Sequence, residues 1–84
     1  MVKKRSNIEI TADVLRIAKH GAKKSRIVYK ANLNFKLVNA YLIRLKEEGL
    51  IAFPSDTDSL FKTTSKGEKY LHQYMKLIDI INII

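Results

Sequence analysis

Between positions 23 and 40 of this 84-residue chain stand five cations, Lys23, Lys24, Arg26, Lys30 and Lys36, interleaved with Asn34, Phe35, Asn39 and Ala40. Lysine and arginine neutralise backbone phosphates and release the counterions condensed on them. Asparagine can pair bidentately with adenine, lysine can reach the acceptors of guanine, and alanine or phenylalanine can pack on the thymine methyl. Together these residue types suit contact with a polyanion, and with duplex DNA in particular. A plain solvated helix face could carry the same residues, so their placement matters more than their presence.

Other chemistry is poorly supported. The chain has no Cys, which removes disulfides, thiolate zinc sites and cysteine nucleophiles. Its two histidines, His20 and His72, are far apart in sequence and have no metal-ligand spacing, and no Gly-rich phosphate loop is present. His20 follows an apolar helical pattern, where a helix C-terminus accounts for it. Asp56-Thr-Asp58 could hold a divalent cation, but turn chemistry explains the pair better. We expect no catalytic residue, metal, cofactor or small-molecule ligand.

The net charge is +8, and it is unevenly spread. Residues 1–46 carry twelve basic and two acidic side chains, whereas residues 47–84 carry four basic and six acidic ones. Such asymmetry suggests one half that faces a polyanion. At 46% hydrophobic residues the chain can build a core, although a core of this size is marginal without a partner. Met1-Val-Lys-Lys-Arg5 is not followed by an apolar signal segment, and Leu77 to Ile84 is too short to span a bilayer. The expectation is a soluble cytoplasmic protein with no membrane partner.

Several elements are needed to position the cations. Ser6-x-x-Glu9 is a capping box for a first helix carrying Ile10, Val14, Leu15, Ile17 and Ala18, ended by Gly21. After an extended Ala22–Lys24, Ser25 is expected to cap a two-turn helix carrying Ile27, Val28 and Ala31. Asn32-Leu33 forms a turn, and Asn34 caps a third helix. Its inner face is Leu37 or Val38 with Tyr41, Leu42 and Leu45, and its outer face is Lys36, Asn39, Ala40, Ile43 and Arg44.

Leu50–Phe53 and Leu60–Thr64 then flank the turn formers Pro54–Ser59, predicting a hairpin. Two helices, a tight turn and a hairpin make a winged helix-turn-helix, with the third helix presented to the major groove. Lys62 is the one cation available on the hairpin, whose Asp56 and Asp58 would be repelled by phosphates. Lys3-Lys-Arg5 reads as a basic arm that could add charge neutralisation.

Ser65-x-x-Glu68 looks like a second capping box, and Gly67 within it suggests close backbone packing. The terminal helix carries two apolar series, Tyr70, Tyr74, Leu77, Ile81, Ile84 and Leu71, Met75, Ile78. A helix apolar around so much of its circumference needs a second surface, and a twin subunit supplies one. The expected layout is a DNA-binding unit over residues 1–64, with residues 1–5 as the arm, and a dimerisation helix over residues 65–84.

Lys24-Ser-Arg-Ile-Val-Tyr-Lys-Ala-Asn-Leu-Asn-Phe35, Tyr41-Leu-Ile-Arg-Leu45, Glu48-Gly-Leu50 and Thr63-Thr-Ser-Lys-Gly67 resemble a known archaeal family. These are small winged-helix DNA-binding proteins, typified by the ten-kilodalton chromatin-associated proteins of Sulfolobus. The resemblance implies a mainly α fold with a small β-hairpin and a long C-terminal dimerisation helix. It also implies a homodimer binding duplex DNA, as a nucleoid-associated protein or regulator of transcription. Two other functions fit the residues less well: a winged-helix protein-interaction module, and a small basic RNA-binding protein.

Overall fold

The computed structural model describes residues 5–83; Lys3, Lys4 and Ile84 lie outside them. The chain runs α1 (Asn7–Ile17), α2 (Lys24–Ala31), α3 (Phe35–Glu47), β1 (Ile51–Ala52), β2 (Lys62–Thr63) and α4 (Ser65–Ile83). It is a winged helix-turn-helix, mainly helical, with one antiparallel hairpin in which Ile51 pairs with Thr63 and Ala52 with Lys62.

The capping box forms as the sequence suggests. Ser6 Oγ accepts from the Glu9 amide at 3.2 Å, and the Ser6 amide donates to Glu9 Oε1 at 3.3 Å. The far end of α1 is closed by the hairpin. Thr63 donates its hydroxyl to the Leu15 carbonyl at 2.6 Å and its amide to the Ala18 carbonyl at 3.0 Å. The Leu15 carbonyl, which the helix C-terminus leaves without a helical partner, is thereby satisfied, and the Ala18 carbonyl accepts from the Gly21 amide as well. Gly21, with a φ of +94°, then turns the chain.

Ala22 and Phe61 exchange two backbone hydrogen bonds of 2.9 Å, a one-residue third strand beside the hairpin. This bridge holds the chain extended through Lys23, so α2 begins at Lys24. Ser25 is therefore already inside the helix and does not cap it; Lys23 occupies the cap position without a side-chain hydrogen bond. Asn32 takes the left-handed conformation that ends α2, and Asn34 Oδ1 accepts from the Leu37 amide at 2.7 Å to start α3.

Val38, not Leu37, takes the inner position on α3, and with Tyr41, Leu42 and Leu45 it packs against Val14, Leu15 and Ile27. The Tyr41 hydroxyl donates to Asn7 Oδ1 at 2.6 Å, tying α3 to the start of α1.

Thr64, not Ser65, opens α4. Its hydroxyl oxygen accepts from the Gly67 amide at 3.1 Å, and the hydroxyl donates to the Gly49 carbonyl at 2.6 Å. The hairpin and the C-terminus of α3 thus fix the direction in which α4 leaves. Leu71 is buried in its own fold and Tyr70 packs half-buried against the core, but Met75, Leu77, Ile80 and Ile81 are all exposed.

Candidate nucleic-acid interface

From Val14 to Lys46 the chain carries nine Lys or Arg residues and no carboxylate. Helices α2 and α3 display most of that charge. Lys23, Arg26, Lys30 and Lys36 are exposed, and Lys24 is half-buried with its Nζ 5.9 Å from the centroid of the Phe61 ring. Among the described residues, ion pairs converge on Asp13, which binds Arg5 at 3.1 Å and also pairs with Arg16. No Lys or Arg of α2 or α3 takes part in an ion pair there. Exposed, unpaired cations produce a positive potential that draws polyanions to them.

Asn34, Phe35, Lys36, Asn39 and Ala40 are all exposed on or at the start of α3. Ile43 continues the same face at 55% exposure. Arg44 turns away from it, its guanidinium 5.1 Å from the Tyr41 ring centroid, and Lys46 sits 4.6 Å from the Phe53 centroid. Phe53 and Phe61 meet edge to face at 4.9 Å beneath these cations. The aromatic pair holds Lys24 and Lys46 beside the base of the hairpin.

Tyr29 belongs to this surface and was not among the residues expected there. At 80% exposure it is the most exposed large apolar side chain among the described residues, one helical turn from Arg26 and next to Lys30. The signal was available in the sequence, since Tyr29 lies out of step with the buried Ile27 and Ala31.

The arm needs correction at Arg5. Its guanidinium donates to Asp13 and, at 2.7 Å, to the Ala31 carbonyl, so Arg5 clamps the start of α1 to the turn before α3. On the hairpin, Lys62 is exposed. Asp58 serves the turn: its Oδ1 accepts from the Leu60 amide at 3.0 Å. Among the described residues no group of three His, Cys, Asp or Glu is placed to hold a metal ion, and no helix is long and apolar enough to cross a membrane.

The residues expected at a dimer interface divide along α4. Leu71 is spent on the chain's own core, Tyr70, Tyr74 and Ile78 are half-buried, and Leu77 and Ile81 are 54% and 56% exposed. Ile84 is outside the described residues. Ile8, Leu50, Tyr70, Tyr74, Leu77 and Ile80 line an open groove of about 680 Å³ between α4 and the start of α1. Burial pushes the Tyr70 hydroxyl above its ordinary value of 10.0, with Glu48 adding to the effect and Arg44 opposing it.

A family model described as winged helix-turn-helix matches residues 4–82, and the chain belongs to that family. An uncharacterised protein of Methanocaldococcus jannaschii is 32% identical over 80 residues, covering 94% of this chain and 79% of the relative. Among solved structures, Sso10a-2, a DNA-binding protein from Sulfolobus solfataricus, superposes with a TM-score of 0.79 at 24% identity, covering 93% of this chain and 83% of that one. A mutant of S. aureus MepR superposes with a TM-score of 0.74 at 18% identity, covering 93% and 61%. At these identities both structures speak to the fold. The archaeal resemblance read from the sequence is met by the fold of Sso10a-2.

Proposed function

We propose that this protein binds duplex DNA as a homodimer, with α3 entering the major groove, and acts as a transcription regulator or nucleoid-associated protein. One observation carries this most: the exposed face of α3 is flanked by Lys23, Arg26, Lys30 and Lys36, none of them ion-paired among the described residues. A helix of thirteen residues is about 20 Å long, and its diameter of about 10–12 Å matches the roughly 12 Å width of the groove. The winged helix-turn-helix family and the likeness to Sso10a-2, a DNA-binding protein, support the same partner.

Within this reading, residues 1–64 form the DNA-binding unit and residues 65–84 the dimerisation helix. Tyr74, Leu77, Ile78 and Ile81 face the twin subunit and set the spacing of two DNA-binding units. Lys62 adds a phosphate contact from the hairpin, while the exposed Asp56 and Asp58 keep the hairpin tip off the backbone.

Titration of duplex DNA, duplex RNA and single strands across a salt series tests the proposal. Tight duplex DNA binding that falls steeply with salt is the expected result. Preference for either RNA form would replace it with RNA binding, and no nucleic-acid binding would leave the interaction module.

A further inference from the structure

The outer face of α3 carries exposed apolar surface beside its cations. Phe35 and Ile43 are 54% and 55% exposed, and neither belongs to the core cluster or packs against it. Ala40 lies exposed between them, and Asn39 is the amide of this face. Lys36 is exposed on it, whereas Arg44 lies over the Tyr41 ring and Lys46 over the Phe53 ring. Neither of these two large apolar side chains contributes to the chain's own core. The exposed, unpaired cations of the neighbouring α2 make a polyanion the fitting occupant of the face.

The major groove offers such side chains one apolar partner, the C5 methyl of thymine, whereas guanine is read mainly by Arg or Lys. We infer that α3 reads A·T-rich duplex through thymine methyls, with Phe35, Ala40 and Ile43 packing on the methyl groups and Asn39 pairing with adenine. This rests on the proposal that α3 enters the major groove of DNA. Phosphate contacts from α2 then supply affinity, and methyl contacts supply preference.

The test uses the full chain and an A·T-rich duplex in two forms, one with thymine and one with deoxyuridine throughout. The two forms present the same hydrogen-bonding edges and differ by the methyl. Affinity is expected to fall roughly fourfold for each packed methyl that is removed, the worth of one buried methyl-sized group. Phe35→Ser combined with Ile43→Ser should shrink the difference to what Ala40 alone supports while leaving the salt slope unchanged; both residues are exposed, so the fold is retained. Equal affinity for the two duplexes overturns methyl readout and leaves DNA binding standing. A difference undiminished in the double variant also overturns it, since the preference then comes from the shape of the DNA. Failure to bind either duplex removes both proposals.

Discussion

A Cβ placed on Gly67 would collide with the carbonyl oxygen of Leu50 and lie 2.6 Å from Thr63 Cγ2. The first turn of α4 therefore rests directly on the backbone that leaves α3, and only glycine permits it. Gly67→Ala should destabilise the fold by roughly 3 kcal/mol or more, the upper range for overpacking, because backbone cannot rotate aside. Urea unfolding of the variant measures this, and a midpoint equal to that of the wild type would contradict the packing.

Tyr70 links the same region to pH. Desolvation is the first cause of its raised pKa, Glu48 the second, so the folded state favours the protonated hydroxyl. Stability from this group is fully present below the unfolded value near 10 and is lost as pH rises through the higher folded value. Thermal unfolding between pH 9 and pH 11 (about one unit either side of the ordinary tyrosine value) should show a steeper loss for the wild type than for Tyr70→Phe. Parallel curves would rule out the effect.

Much of this fold was legible in the sequence because its signals were local. Ser6 and Glu9, three residues apart, form their box, and Asn34 caps α3 as its position suggests. Gly67 stood out as a glycine where a helix prefers anything else, and close packing is the reason.

Where the sequence misled, a distant part of the chain had decided the outcome. Ser25 lost its cap role because Phe61 bridges Ala22 and sets the start of α2. Ser65 lost its role to Thr64, whose hydroxyl is oriented by the Gly49 carbonyl. Arg5 left the arm for the carbonyls of Ala31 and Asn32, acceptors every residue possesses and no pattern can flag. The candidate interface was readable as a run of cations and amides, but the turning away of Arg44 over Tyr41 needed three dimensions.

The uncovered end of α4 yields a prediction about assembly. Wild-type protein should sediment at about twice the 9.7 kDa chain mass, the expectation for an apolar helix face that finds a twin. Leu77→Glu with Ile81→Glu should return it to a folded monomer, because both side chains are already exposed within one chain. Circular dichroism checks that the helices persist. A wild-type protein sedimenting as a single chain would exclude the dimer.

The salt dependence of duplex DNA binding tests the central claim most directly. The slope of log affinity against log salt should fall by about 0.9 for each phosphate that a variant no longer neutralises. Arg26→Ala, Lys30→Ala and Lys36→Ala are each expected to weaken binding and flatten the slope by that amount. Thr57→Ala, at the exposed hairpin tip, should leave both unchanged. Slopes that stay at the wild-type value in all three α2 and α3 variants would contradict DNA binding through this face.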